Sequence, residues 1–256
     1  MVGYSALTLA INIPGNSEKV SGIRINRYLA MCGLGARRAV ERLVREGRVV
    51  VDGAVVDDLA FRVPPGAAVS VGGKEVRPGR RFRYVAYHKR RGVLTTTRDP
   101  FRRRTVRDDL PRQLRDLKPV GRLDGDTEGL LLLTDDGSFA QRVAHPSFGV
   151  VKKYVVDVSG RMTKKDIAAL ERGVELLDGH MGKVKVDSVE RTAAGSTVTV
   201  SAGYGRKRMI RQMFAALGHK VKVLRRVAVG PVTLGRLCPG EWRELTEEEV
   251  AALGDY

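Results

Sequence analysis

The chain has 256 residues, 43% of them hydrophobic, which allows two domains with a core in at least one. Lys and Arg total 46 against 29 Asp and Glu, a formal net charge of +17, and so large an excess points to a polyanion, with nucleic acid ahead of an anionic membrane because no basic helix with a bulky apolar face accompanies it. The 2 distant cysteines and 4 scattered histidines argue against a disulfide framework and a zinc site and fit a reducing cytosol, and no apolar run nears the roughly 18 residues of a membrane-spanning helix.

Residues 1–21 hold a weak apolar patch, Ala6 to Ile13, broken by Pro14-Gly15. They read as a poorly ordered extension and not as a signal peptide. Residues 23–51 carry seven arginines (Arg24, Arg27, Arg37, Arg38, Arg42, Arg45, Arg48) against Glu41 and Glu46. Ile25, Leu29 and Cys32 fall at helical spacing and predict a short helix. Gly33-Leu34-Gly35 interrupts it. Ala39, Val40, Leu43 and Val44 predict a second helix, with Gly47 as its C-terminal cap. Val49-Val50-Val51 and Ala54-Val55-Val56 around Asp52-Gly53 predict a hairpin with a tight turn. A solvated basic helical hairpin without a ligand would share this pattern. The one-sided arginine count favours an RNA-binding platform with Arg24, Arg27, Arg37, Arg38, Arg42 and Arg45 among its contacts. The stretch 22–77 resembles the small RNA-binding domain first seen in ribosomal protein S-four, with Ala36 where that family usually places a Ser helix cap.

Residues 77–83, Arg-Pro-Gly-Arg-Arg-Phe-Arg, form a basic linker with turn residues and predict a domain boundary near Gly79. From residue 84 to 256, strands and helices alternate. Strands are predicted at 84–88, 93–97, 130–134, 151–158, 184–190, 197–202 and 221–229. A helix opens at Thr163 with Asp166 and ends near Gly173. Thr246 with Glu249 forms a capping box for a last helix over 247–253. Within 206–218, Met209, Ile210, Met213, Phe214 and Leu217 share one helical face. Arg206, Lys207 and Arg208 at its start suit either solvent or phosphates, and Arg211 lies at the edge of the apolar arc.

Residues 119–137 read Pro-Val-Gly-Arg-Leu-Asp-Gly-Asp-Thr-Glu-Gly-Leu-Leu-Leu-Leu-Thr-Asp-Asp-Gly. An acid-rich turn, Arg122 to Gly129, feeds into Leu130–Leu133, and a second turn, Asp135-Asp136-Gly137, closes the run. This is a short buried strand with ionisable groups at its mouth. On the residues alone, Asp124 suits two roles equally: a reactive carboxylate, or an Asp-Gly turn residue accepting backbone hydrogen bonds. Tyr154, after two lysines and before a strand of valines, reads on the residues alone as a half-buried strand aromatic.

Residues 121–137 resemble the signature of pseudouridine synthases that modify ribosomal RNA, the RsuA/RluB type. The match extends over most of 84–245: His88 to Thr97, Lys153-Tyr154-Val155-Val156, Gly205 to Phe214 with Gly218-His219, Gly230 to Gly235, and Pro239 to Trp242. Arg90 stands where Pro commonly follows Lys. Lys207, Met209 and Gln212 replace a common Asn, Gln and Arg, and Tyr204 stands where Glu is frequent. The Leu94-Thr95-Thr96-Thr97 run leans toward the large-subunit branch. The resemblance implies an α+β protein, a small helical and β-hairpin RNA-binding domain followed by a mixed-sheet catalytic domain. It implies isomerisation of uridine to pseudouridine in ribosomal RNA, redox-neutral and without metal or cofactor. Asp124 would be the catalytic carboxylate, Tyr154 the ring stacked on the extruded base, and Arg211 the partner of Asp124. Arg122, Arg206, Lys207 and Arg208 would contact RNA, and Asp126 would be dispensable. Two rivals stand beside this reading. One is an RNA-binding assembly factor without chemistry. The other is a metal-dependent nuclease using Asp124 and Asp126, which lacks further clustered carboxylates. The expected setting is a cytosolic monomer acting on ribosomal RNA or a ribosome assembly intermediate.

Overall fold

The computed structural model describes residues 22–254 except 36, 80, 81, 98 and 194. The 1–21 extension, Ala36 and the side chains of Arg37 and Arg38 lie outside the described residues. The chain divides into two compact units, Met1–Arg81 and Phe82–Tyr256.

The first unit carries helices Ile25–Met31 and Arg37–Arg45. Ile25, Leu29, Val40 and Val44 bury against Val49, Val51, Val63 and Val69 in one core. Strands Val49–Val51 and Ala54–Val55 pair antiparallel. Asp52 (φ 48°) and Gly53 (φ 84°) both adopt the left-handed conformation that a two-residue type I′ turn requires. Val69–Val71 pairs along the other side of the hairpin. With the apolar stripes turned inward, Arg24, Arg42, Arg45 and Arg48 are exposed and Arg27 is half-buried. The Glu46 carboxylate is 3.7 Å from Arg42 and 4.0 Å from Arg48, exposed pairs of little energetic worth.

The second unit is built on a mixed sheet. From one edge its strands run Lys185–Thr192, Gly195–Ala202, Lys152–Val158, Val221–Val229, Glu128–Thr134, Tyr84–Lys89 and Trp242–Glu244. Along this order Val221–Val229 and Glu128–Thr134 pair parallel, and the other neighbours pair antiparallel. The leucine run is apolar throughout because both of its faces are covered. Leu130 and Leu132 pack with Phe139 and Val143, whereas Leu131 and Leu133 pack with Val106, Leu110, Leu114 and Leu117. Each such burial contributes about 1.5–3 kcal/mol. The parallel seam demands glycine at its start. Gly129 has φ 104°, and a Cβ there would sit 2.3 Å from the Arg226 carbonyl oxygen.

Two expected elements take another form. Residues 93–97 make no strand; Leu94 forms an isolated bridge to Thr105, and the Thr95 hydroxyl turns to the backbone of Leu123. The Asp135-Asp136-Gly137 turn is a helix start. Asp136 caps helix Gly137–Ala144 by accepting from the N–H groups of Ser138 and Phe139. The caps at Thr163 and Thr246 form as expected, opening helices Lys164–Arg172 and Glu247–Gly254. The helix expected within 206–218 spans Met209–Ala216 and leaves Arg206, Lys207 and Arg208 ahead of it.

Candidate active site

The Asp124 turn sits at the mouth of the leucine strand and is gripped from two sides. On one side is the loop after Tyr84–Lys89. The Gly92 N–H donates to the Gly125 carbonyl at 2.7 Å. The Thr95 hydroxyl donates to the Leu123 carbonyl at 2.7 Å and lies 3.2 Å from the Leu123 N–H, which donates back to it. Lys89 shapes this loop from inside. It is fully buried, and its ammonium donates to the carbonyls of Arg90 (3.0 Å) and Val93 (2.6 Å). Burial pulls its pKa down to about 8, against the charges of Asp109, Asp126, Asp124 and Glu128.

On the other side is helix Met209–Ala216. Arg208, its left-handed N-cap, donates to both carboxylate oxygens of Asp126 at 3.2 and 2.9 Å. Arg211, with its side chain 11% exposed, donates from Nη2 to the Asp126 carbonyl at 2.9 Å. Its Nε lies 3.3 Å from an Asp126 carboxylate oxygen, within ion-pair range but off the line of a hydrogen bond. Burial pushes the Asp126 carboxyl up, but the Arg208 hydrogen bonds and the two guanidinium charges outweigh it and hold it below the usual range. Burial also pulls the Arg211 guanidinium down, against the charges of Asp126 and Asp124.

Two expectations change here. Arg211 is bonded to Asp126 and not to Asp124, because Asp126 lies on the helix-facing end of the turn and supplies both a carbonyl and a carboxylate to one planar fork. Arg208 is an ion-pair partner of Asp126 before any phosphate arrives. Arg122, Arg206 and Lys207 are exposed, with Arg206 3.6 Å from Asp178.

Asp124 itself is half-buried. Its main-chain carbonyl accepts from Thr127 N–H at 3.0 Å, closing the turn. Its carboxylate accepts no hydrogen bond and no ion pair from the described residues. Several turn and cap aspartates elsewhere among the described residues behave differently. Asp99 accepts from the N–H groups of Phe101 and Arg103, Asp58 from Ala60, and Asp136 from two helix N–H groups. The turn-residue account of Asp124 requires such bonds and does not find them.

Tyr154 is half-buried and packs against two of the core clusters. Its place in the register matters more. Tyr154 pairs with Arg226, Arg226 with Gly129, and Gly129 with Lys89. One row across four strands therefore carries Tyr154, the end of the Asp124 turn and the buried lysine.

Three of the positions where the sequence departs from the resembled pattern, Tyr204, Gln212 and Arg90, make structural contacts. Tyr204 and Gln212 both hold the Val174–Gly182 hairpin: the Tyr204 hydroxyl donates to the Met181 carbonyl at 3.0 Å, and the Gln212 side-chain Oε1 accepts from Leu177 N–H at 2.9 Å. Arg90 lies across Gly240 and donates to the buried Asp109 carboxylate at 2.9 Å, which also takes bonds from Tyr87 and Arg104. Sequence reasoning missed Lys89, Thr95, Asp109 and the bonding of Asp126. A buried Lys is rare enough to have marked Lys89 had the strand been extended by one residue; the other three carry no local signal.

Residues 83–216 match the family model described as RNA pseudouridylate synthase, and residues 23–69 match the S4 domain model. An RNA pseudouridine synthase of Aquifex aeolicus (strain VF5), named as uncharacterized, is 40% identical over 236 residues, covering 90% of this chain and 93% of that protein. The ribosomal large subunit pseudouridine synthase B of Bacillus subtilis (strain 168) is 37% identical over 232 residues, 90% of this chain and 95% of that protein. A crystal structure of a pseudouridylate synthase superposes with a TM-score of 0.62 at 26% identity, covering 90% of this chain and 99% of that one.

Proposed function

Because the chain belongs to the RNA pseudouridylate synthases, enzymes that isomerise uridine to pseudouridine in RNA, we propose that it modifies a uridine of ribosomal RNA, in the large subunit, with Asp124 as its catalytic carboxylate. The observation that carries this reading is the Asp124 carboxylate at the mouth of a dry strand, which no described residue engages. The reaction breaks the N-glycosidic bond of the uridine, turns the uracil and joins its C5 to the same ribose carbon; C5 gives up a proton and the freed N1 takes one up, so substrate and product are isomers. Asp124 serves as nucleophile or base in that sequence, which balances without an external donor or oxidant. Tyr154 offers a ring to the extruded base, for which unstacking costs a few kcal/mol. Arg211 fixes the charge balance beside the carboxylate. Arg24, Arg27, Arg37, Arg38, Arg42 and Arg45 of the S4 domain, with Arg122, Arg206 and Lys207, hold RNA phosphates. Domain limits of 22–77 and 84–256 fit this division of labour, and the enzyme works as a cytosolic monomer on ribosomal RNA or an assembly intermediate. Pseudouridine mapping of ribosomal RNA from cells with and without the protein tests the substrate: a large-subunit position that loses its pseudouridine supports it, and an unchanged map of both subunits refutes it.

The arginine face makes a salt-dependent prediction. Replacing exposed Arg24, Arg42 and Arg45 by Gln in the full chain should weaken RNA binding and lower its log–log salt slope by roughly 2–3 units, since each phosphate contact is worth about 0.7–0.9. An unchanged slope would take RNA off this face.

Tyr154 permits a clean pair of variants, because its hydroxyl has no partner among the described residues. Tyr154→Phe should keep most RNA affinity, whereas Tyr154→Leu should lose roughly 1–3 kcal/mol of binding. Equal affinity and turnover in the two variants would return Tyr154 to a packing role.

A further inference from the structure

We propose that Phe101 is a second stacking ring, carried on a preformed basic turn, which holds a nucleobase of the substrate RNA flanking the target uridine. The inference rests on the reading of the chain as an RNA-modifying enzyme with Asp124 as its carboxylate, and it adds a contact outside that reading. One exposed apolar side chain by itself means little. What singles out Phe101, 77% exposed, is the structure that presents it. Asp99-Pro100-Phe101-Arg102 is a tight turn, in which the Arg102 N–H donates to the Asp99 carbonyl at 3.3 Å. Asp and Pro suit its first two positions, Asp because its side chain accepts from N–H groups further on, Pro because its φ is already set. The Asp99 carboxylate accepts from Phe101 N–H at 3.1 Å and from Arg103 N–H at 3.0 Å. It also accepts from the Arg103 guanidinium, from Nε at 3.2 Å and Nη2 at 2.7 Å. That guanidinium lies over the Phe101 ring, 5.3 Å from its centre. The ring is therefore braced on one face and open on the other. Arg102 follows in the left-handed conformation, φ 56°, uncommon for a residue with a side chain, and turns the chain back.

The turn is rooted beside the reacting carboxylate. Leu94 N–H donates to the Arg104 carbonyl at 2.9 Å and Val106 N–H to the Leu94 carbonyl at 2.8 Å, so the two ends of the loop meet. Next to that junction the Thr95 hydroxyl holds the Leu123 carbonyl, one residue before Asp124. Four residues separate Phe101 from Thr105, so its backbone lies within roughly 15 Å of the root. That reach suits a nucleotide beside the target, while Tyr154 takes the target itself. The charges around the ring favour nucleic acid over a protein partner. Arg102, Arg103, Arg104 and Arg107 are all exposed. The carboxylates among them are committed: Asp99 to Arg103, Asp108 to the Thr105 cap, and Asp109 to Arg90, Arg104 and Tyr87. A ring rimmed by cations offers its face to a base and its surroundings to the adjoining phosphates. Because the turn is already formed, docking the base costs little ordering of the loop.

The test uses the full chain and transcribed large-subunit ribosomal RNA. Protein carrying photoreactive p-benzoylphenylalanine at position 101 should crosslink within a few nucleotides of the uridine that is converted. Phe101→Ala should weaken RNA binding about five-fold to a hundred-fold with an unchanged salt slope, because a stacked base is lost and no phosphate contact. Phe101→Trp should bind at least as well as wild type. Arg102→Gln should instead lower the log–log salt slope by about 0.7–0.9. Asp99→Ala should lose affinity when Phe101 is present and little more in the Phe101→Ala background, because Asp99 acts through the ring it positions. Leu177→Ala is the control for an exposed apolar side chain elsewhere, 94% exposed, and should bind as wild type. Wild-type affinity in Phe101→Ala, an equal loss in Leu177→Ala, or crosslinks only to distant nucleotides would each overturn the proposal. So would crosslinks to ribosomal proteins alone when a large-subunit precursor particle replaces the RNA. The two levels separate: pseudouridine formation with no effect of Phe101→Ala removes only the ring, whereas RNA crosslinked at position 101 without pseudouridine formation removes the underlying reading.

Discussion

Asp124→Asn is expected to abolish pseudouridine formation while RNA affinity stays within a few-fold and the unfolding temperature is unchanged. The expectation follows from what the carboxylate does in the fold, which is nothing that the described residues record. No N–H group leans on it, so an amide of the same shape leaves the turn intact. The turn is closed by the Asp124 carbonyl and held by Gly92 and Thr95, all through main-chain atoms of residues 123–125. A substitution away from packing, caps and paired charges costs within about 0.5 kcal/mol of stability. Loss of a charge that must form or break a bond has no such tolerance. The same variant divides the alternatives. An RNA-binding assembly factor would be indifferent to it in every assay. A nuclease would be silenced by chelator, whereas pseudouridine formation should persist in it. Substantial pseudouridine formation by Asp124→Asn would remove the carboxylate from the mechanism.

What was legible in the sequence is what a local pattern encodes. Leu130–Leu133 could be read as a buried strand because four successive leucines satisfy both faces of a covered sheet at once. Asp52-Gly53 announced its turn because few residue pairs tolerate two left-handed positions in a row. Thr163 with Asp166 announced its helix because the reciprocal cap is contained within four residues. Failures came where one local signal serves two structures. Asp136-Gly137 is turn chemistry and N-cap chemistry alike, and only the burial of Phe139 and Val143 on the following helix decides between them. Leu94-Thr95-Thr96-Thr97 has strand propensity but no strand to pair with along its length, and its Thr95 hydroxyl is spent on Leu123. The Asp126–Arg208 pair was invisible for a different reason. Its members are separated by 82 residues, and nothing local to either states that the other exists.

Arg211→Met should lower turnover by about a hundred-fold to a thousand-fold, the scale seen when one preorganised donor is removed from a reacting site. Met approximates the length and volume of the arginine stem, so the apolar edge of the helix stays filled. What is lost is a cation that touches the Asp124 turn at two atoms of Asp126 and acts on Asp124 through space. The Asp126 carbonyl would lose its partner and its carboxylate would keep only Arg208. Arg211→Lys should retain part of the rate. A lysine restores the charge, but its compact ammonium cannot span carbonyl and carboxylate as the planar fork does, so the turn is held less tightly. Lys207→Met provides the contrast. Lys207 is exposed and outside the grip on the turn, so its loss should weaken RNA binding and leave the single-turnover rate at saturating RNA near wild type. The order expected is wild type, then Arg211→Lys, then Arg211→Met, with unfolding temperatures measured to separate a loosened helix from a loosened site. If Arg211→Met keeps the wild-type rate while Lys207→Met loses it, the working cation is Lys207, and the buried guanidinium serves only to fasten the helix to the turn.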